Sequence, residues 1–155
     1  MAYADYPRHF LWRSRLDGSE RLQLTDIPAW MPEWSPDSKW AVFSKFKEIY
    51  RASIDGGIPE QLTSEGKFEV APTWSPDGKS IEFNDFPTPG HYPDIKVLDL
   101  ASRKVSVWPD SEGRYVPSWS PDGRYMVAIA NPPKHIILYS RGLKTWRTLK
   151  LLGAD

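Results

Sequence analysis

Short runs along the chain carry apolar residues at every second position, which is the period of a β-strand. The clearest runs are Ala41–Phe43, Ile81–Phe83 and Met126–Ala128, whose first and third residues are apolar. Because successive side chains of a strand point to opposite faces of the sheet, each run predicts a strand with one apolar face. The 15 Pro and 10 Gly residues recur too often for long helices. The pattern therefore predicts an all-β protein.

An eight-residue motif occurs three times without gaps. Each copy reads Pro-x-Trp-Ser-Pro-Asp, then Gly or Ser, then Lys or Arg, and the tryptophans of successive copies are 40 and 45 residues apart. Ser-Pro-Asp-Gly has the composition of a β-turn, in which Pro sets φ and Gly tolerates a positive φ. Ser38 stands where the other copies have Gly, so we expect the first turn to be slightly strained or of another type. The copies are residues 32–39, 72–79 and 117–124.

The residues after each motif repeat as well. An alternating run is followed by a variable loop and then by a hairpin, and Asp17-Gly18 and Asp55-Gly56 are strong hairpin-turn signals. Each unit predicts four short antiparallel strands in about 40 to 45 residues, the period of a β-propeller blade. We predict one propeller segment, 1–155, with three complete four-stranded blades and one blade that lacks its inner strand. The predicted blades cover approximately residues 1–26, 31–64, 71–109 and 116–151.

Residues 38–55 allow a second interpretation. They contain no Pro, and Trp40, Phe43, Phe46 and Tyr50 recur at helical spacing. The equivalent part of the next repeat contains Pro87, Pro89 and Pro93, which a helix interior does not accommodate. Because equivalent repeats share a fold, we predict strands here too.

The repeats resemble those of a known family. Two stretches are similar to the WD-like propeller repeats of the TolB family. One is Trp-Ser-Pro-Asp-Gly-Lys followed by Ile81-Glu-Phe83, and the other is Ile49-Tyr followed by Ile-Asp-Gly-Gly and Gln-Leu-Thr. Similar repeats occur in propeller domains of prolyl-oligopeptidase-type peptidases and in sensor proteins with a winged-helix region. The resemblance implies a periplasmic protein. Residues 1–8 lack the features of a signal peptide, however, so a cytoplasmic location is the alternative.

The resemblance also implies that the predicted blades are only part of a ring, because propellers of this kind usually close with six or more blades. Three arrangements remain open. The chain is a fragment of a longer propeller protein, or two copies close a ring as a homodimer, or the blades form an open array that partners cap.

Composition removes several functions. Lys plus Arg and Asp plus Glu both number 20, and this zero net charge argues against a nucleic-acid partner. The lack of Cys excludes disulfides, Cys-ligated zinc and thiol catalysis. No apolar run reaches the roughly 18 residues of a membrane-spanning helix, so we expect no direct membrane insertion. There is no Gly-x-Ser-x-Gly motif, and His9, His91 and His135 lie in separate predicted loops. We expect no catalytic residues, no metal and no cofactor.

The candidate binding residues are aromatic. They lie just before predicted first strands or between predicted second and third strands, and both kinds of connection emerge on one face of a propeller. Aromatic side chains are enriched at protein interfaces, so we expect several of these to be more than a third exposed. The prediction is a non-catalytic module that binds a protein or peptide through this face. The alternatives are the substrate-gating propeller of a prolyl-oligopeptidase-type serine peptidase and the sensor propeller of a winged-helix regulator. The candidate residues are Trp30, Phe46, Phe68, Phe86, Tyr92 and Tyr115.

Overall fold

The chain folds into four antiparallel β-sheets, which we number as blades 1 to 4 from the N-terminus. The computed structural model describes residues 1–64, 68–85, 88, 90, 92–131 and 135–149. Three of the sheets in this part of the chain have four strands and the first has three. This confirms the predicted all-β fold, with three complete blades and one that has no inner strand.

The strands follow one another along the chain. Blade 1 contains β1 (Ala2–Ala4), β2 (Phe10–Arg13) and β3 (Leu22–Pro28). Blade 2 contains β4 (Trp30–Trp34), β5 (Trp40–Lys45), β6 (Glu48–Ser53) and β7 (Glu60–Gln61). Blade 3 contains β8 (Glu69–Trp74), β9 (Ser80–Asp85), β10 (Ile95–Asp99) and β11 (Val105–Val107). Blade 4 contains β12 (Arg114–Trp119), β13 (Tyr125–Ala130), β14 (His135–Ser140) and β15 (Thr145–Thr148).

Each blade is a meander in which every strand pairs with the next one along the chain. The inner strands β4, β8 and β12 are neighbours, because β8 contacts both of the others. Strands β5 and β6 occupy most of residues 38–55, so the helical interpretation of that segment is wrong. No helix long and apolar enough to cross a membrane occurs in the described residues.

The Ser-Pro-Asp turns join the inner strand to the second strand in blades 2, 3 and 4. In each copy the serine hydroxyl donates a hydrogen bond to the aspartate Oδ1, over 2.6 Å from Ser35, 2.8 Å from Ser75 and 2.7 Å from Ser120. The fourth residue has a φ of 58° at Ser38, 69° at Gly78 and 67° at Gly123. Ser38 therefore adopts the conformation that glycine favours, and the first turn is strained rather than of another type.

The core lies between the blades rather than within any one of them. One apolar cluster fills each of the three boundaries: around Leu11 and Phe43 between blades 1 and 2, around Ile49 and Phe83 between blades 2 and 3, and around Met126 between blades 3 and 4. Burying a side chain of this size contributes about 1.5–3 kcal/mol. The blades are thus held together by their stacking.

A blade between two others has two buried faces, which the alternating pattern alone does not predict. Ala41 and Phe43 face blade 1, whereas Val42 belongs to the cluster shared with blade 3, and all three are 0% exposed. The equivalent middle residue of β9 is Glu82, which is also buried. The predicted apolar faces formed by residues 41/43 and 81/83 are confirmed, and the middle residues on the opposite faces of blades 2 and 3 are buried as well.

Candidate functional site

The topology gathers two sets of connections on one side of the molecule, which we call the loop face. It consists of the connections between second and third strands, such as β5–β6 and β9–β10, and of the chain just before β4, β8 and β12. The Ser-Pro-Asp turns lie at the other ends of the inner strands. Phe46, Phe68 and Tyr92 lie in these connections. Trp30 is the first residue of β4 and Tyr115 the second of β12, so these two lie at the starts of inner strands at the loop face rather than before the strands, as the sequence had predicted.

Every inner strand begins with the same irregularity. Met31, Ala71 and Val116 have φ values of 51°, 53° and 55°, and each precedes a proline. At these positions the pairing with the second strand shifts register. The three bulges fix how each inner strand enters the loop face.

The bulges also align the candidate residues from blade to blade. Trp30 and Tyr115 both come directly before a bulge residue, and the residue at that position in blade 3 is Val70. Phe68 lies two residues earlier. The sequence interpretation that treated Phe68 as nearly equivalent to Trp30 and Tyr115 is therefore corrected: only the latter two occupy the same position.

Four of the candidate aromatic side chains are exposed. The exposed fraction is 46% for Trp30, 65% for Phe46, 53% for Phe68 and 47% for Tyr92. Tyr115 is half-buried, and Phe86 lies outside the described residues, as does His91. The expectation that several are more than a third exposed is confirmed, while their role in binding stays a prediction.

A loop of one blade touches the start of the next blade at each boundary. The ring of His9, in the β1–β2 loop, stacks on Trp30 with centroids 4.1 Å apart. Lys47, in the β5–β6 loop, places its Nζ 4.9 Å from the centroid of Phe68. A Cβ added at Gly113 would lie 3.9 Å from the Cβ of Tyr92. Two of the exposed rings, those of Trp30 and Phe68, are thus supported from the neighbouring blade.

Two carboxylates, the half-buried Glu33 and the buried Glu82, fix the inner part of the blades. Glu33 Oε1 accepts hydrogen bonds from the Thr73 hydroxyl and the Trp74 backbone N–H, over 2.9 and 3.0 Å. Glu82 accepts from the Ser80 hydroxyl over 2.7 Å and from Trp119 Nε1 over 2.8 Å. Burial raises the pKa of both carboxyls, that of Glu82 to about 7. Each one joins its own blade to the next.

Sequence reasoning missed Glu82 because a glutamate in an alternating run resembles a solvent-facing residue, and it passed over Glu33 as a variable position of the repeated motif. The available signal was the comparison of repeats: Val42, Glu82 and Val127 occupy one position, and an apolar neighbour there indicates a covered face. In the described ranges, no group of three His, Cys, Asp or Glu side chains is arranged to hold a metal ion. The chemistry that the loop face offers is that of exposed rings beside imidazole and ammonium groups.

Comparison with known proteins shows how similar the chain is to proteins of the family that its repeats resemble. No family model matches the chain. A protein of Chlorobium luteolum named "Protein TolB homolog" is 34% identical over 87 residues, which are 56% of this chain and 20% of that protein. The crystal structure of TolB from Acinetobacter baumannii superposes on 99% of this chain with a TM-score of 0.80 at 24% identity. The chain is a TolB-like β-propeller segment.

The TolB-like segment corresponds to only part of the proteins it resembles. It covers 41% of the A. baumannii chain and a fifth of the length of the C. luteolum relative. A structure described as a nidogen/laminin complex superposes on 98% of the segment with a TM-score of 0.70 at 15% identity. This second likeness shows that the fold is shared well beyond TolB.

Proposed function

We propose that the TolB-like segment is a non-catalytic interaction module that binds a protein or peptide through its loop face. The observation that carries the proposal is the exposure of Trp30, Phe46, Phe68 and Tyr92 by about half or more on one side of the molecule. Exposed aromatic side chains grouped on one surface are typical of the anchors of protein interfaces.

The anchors stand on a rigid base. Trp30 begins β4 directly before the Met31 bulge, and it is stacked on His9 of blade 1. Phe68 is held against Lys47 of the preceding blade. Binding to side chains that are already positioned costs less ordering entropy than binding to mobile ones. The supported rings therefore favour docking of a partner without rearrangement of the blades.

The comparisons support a non-enzyme in the periplasm. Two of the proteins named above are TolB proteins, and the resemblance of the repeats to that family implies a periplasmic location. Equal numbers of acidic and basic residues support a protein or peptide partner rather than a nucleic acid.

A matched pair of triple variants tests the proposal. Phe46→Ser/Phe68→Ser/Tyr92→Ser removes exposed rings from the loop face. Leu16, Ile58 and Leu143 are 89%, 98% and 76% exposed in turns between third and fourth strands, on the opposite face. Their triple serine variant is therefore the control. The probe is a phage-displayed library of random peptides, selected on the immobilised wild-type chain.

We expect selected peptides to bind the loop-face variant at least about tenfold more weakly, because loss of one interface hot spot costs 2 kcal/mol or more. The control variant should bind them within about twofold of wild type, since that change is less than 0.5 kcal/mol. Equal binding to the loop-face variant, a loss confined to the control, or a selection that enriches no peptide would reject the proposal.

A further inference from the structure

The two faces of blade 4 carry apolar side chains, but only one of them is covered in the described structure. Met126, Ala128 and Ile137 pack against blade 3. Val127 and Ile136 point to the other side of the sheet and are 38% and 39% exposed. Blade 4 therefore presents an open apolar face, defined by Val127 and Ile136.

The open face has the residues of a covered one. The strand registers make Ile136 the equivalent of a residue in every other blade, because each pairs with the same position of the second strand. All three equivalents are 0% exposed, since the next blade covers them. Val127 likewise corresponds to Val42, which is 0% exposed. The equivalents of Ile136 are Leu11, Ile49 and Ile95.

The boundary between blades 1 and 2 shows what fits on this position. Leu11 lies in a cluster with Phe43 of blade 2, and Tyr50 packs against the same cluster. Phe43 and Tyr50 pair across β5 and β6, and their rings are stacked with centroids 5.9 Å apart. A cross-strand aromatic pair is thus the surface that covers an aliphatic residue here.

Blade 1 carries such an aromatic pair at the same register. Tyr3 pairs with Trp12 across β1 and β2, next to the Ala4–Leu11 pair. In blade 2, the Phe43–Tyr50 pair lies in the same way next to the Ser44–Ile49 pair. Leu11 points toward blade 2, so Tyr3 and Trp12 lie on the opposite face of blade 1. The guanidinium of Arg21 lies over both rings, 5.7 and 5.3 Å from their centroids.

We propose that the open face of blade 4 docks on the Tyr3–Trp12 face of blade 1 of a second copy of this chain, where both rings are half-buried beneath Arg21. Val127 and Ile136 would then contact Tyr3 and Trp12 as Leu11 contacts Phe43 and Tyr50. Such a contact is head-to-tail, because two different surfaces meet. One copy keeps a free blade 1 face and the other a free blade 4 face, so the dimer has one free surface of each kind for a further partner or for ring closure. The proposal continues the blade-to-blade stacking that already forms the core.

The test uses two single variants of the 155-residue chain, Ile136→Lys and Trp12→Lys. Each variant spoils one of the two faces and leaves the other intact. We expect the wild-type mass in light scattering to rise above the 17.8 kDa monomer with concentration, and each variant alone to stay monomeric. An equimolar mixture should form a heterodimer and nothing larger, since it contains one intact surface of each kind. Ile58→Lys is the control and should associate like wild type.

Three outcomes would overturn the proposal. The wild-type chain stays monomeric at every concentration, either variant alone still dimerises, or the mixture stays monomeric although the wild type associates. Near-ultraviolet circular dichroism checks that the variants are folded. Val127→Lys and Tyr3→Lys form a second pair with the same expected complementation, so a failure of Trp12→Lys to fold leaves the test intact.

Discussion

The strained turn at Ser38 allows the stabilisation of one repeat to be predicted from another. Ser38→Gly should remove the cost of a left-handed conformation, which is about 1–2 kcal/mol for a non-glycine residue. Glycine also raises the conformational entropy of the unfolded chain, which lowers the free energy of unfolding by about 0.5–1 kcal/mol. The hydrogen bond from the residue 38 backbone N–H to the Ser35 carbonyl needs no side chain and is retained. The expected net gain in the free energy of unfolding is about 0.5–1 kcal/mol.

The reverse change in the next repeat is the matched control. Gly78→Ser introduces the same strain, and an added Cβ meets no atom within 4 Å, so the expected loss is of the same size. Gly123→Ser should lose about 1 kcal/mol more, because its Cβ would lie 3.0 Å from two side-chain carbons of Pro76. The expected order of stability is Ser38→Gly, wild type, Gly78→Ser and then Gly123→Ser.

Urea unfolding of the four chains at neutral pH measures this order, with the slope against urea concentration checked for constancy. A change of 1 kcal/mol should also move the melting temperature by roughly 2–4 °C in a chain of this length. The reasoning is refuted if Ser38→Gly is no more stable than wild type while Gly78→Ser is destabilised, because the two turns would then differ in more than their fourth residue.

Three further predictions concern the boundaries between blades. Burial raises the pKa of Glu82 to about 7 in the folded chain, against an ordinary value of 4.5. Between pH 4.5 and 7 the folded chain therefore holds a proton that the unfolded chain has lost, and the free energy of unfolding should fall as the pH rises through this range. Glu82→Gln should remove this pH dependence of the free energy of unfolding, which amounts to about 3 kcal/mol. Urea unfolding at pH 5 and pH 8 measures it, and equal losses of stability in the variant and the wild type would contradict the prediction. Gly113→Ala should cost about 1–3 kcal/mol in thermal unfolding, because φ is 70° and the new Cβ would lie 2.8 Å from the Asn131 carbonyl oxygen; a neutral result would mean that the loop shifts freely. Phe83→Ala should lower the free energy of unfolding by about 3–5 kcal/mol, because Phe83 is fully buried. Val127→Ala, at the open face of blade 4, should lower it far less in dilute, monomeric protein. Similar losses for the two variants would show that this face is covered.

The repeat predicted the blades, and local periodicity alone would not have done so. Trp40, Phe43, Phe46 and Tyr50 fit a helix as well as a strand, and the prolines of the next repeat decided between the two. The burial of both faces of blades 2 and 3 could not be predicted from the spacing of apolar residues. That spacing describes a single sheet and does not show that a second blade packs on its other face. Glu82 shows the physical reason: its burial depends on hydrogen bonds from Ser80 and Trp119, and the latter belongs to another blade.

The candidate site was predicted in part. The exposure of Phe46 follows from its place in a loop, which the strand assignment fixes. The half-buried state of Tyr115 and the offset of Phe68 depend on bulges that the sequence signals only weakly, through a proline two residues before each motif tryptophan. A positive φ at Val116 is particularly hard to foresee, because a β-branched residue rarely adopts it. Alignment of repeats located the aromatic residues, but their side-chain environment required the structure.

The tryptophans of blades 3 and 4 bind the preceding blade in two different ways, and the difference bears on how propeller genes can gain or lose units. Trp74 Nε1 donates to the backbone carbonyl of Glu33, an acceptor that any residue supplies. Trp119 Nε1 donates to the Glu82 side chain, which only a few residues could replace. A unit inserted between blades 2 and 3 would find this carbonyl acceptor for its tryptophan whatever residue stands at position 33, although the Glu33 carboxylate would still need the hydroxyl that Thr73 supplies. Between blades 3 and 4, a unit without a donor at the tryptophan position would leave Glu82 Oε2 without its hydrogen bond, and only the Ser80 hydroxyl would still donate to this buried carboxyl. That boundary should therefore be inherited as a linked pair.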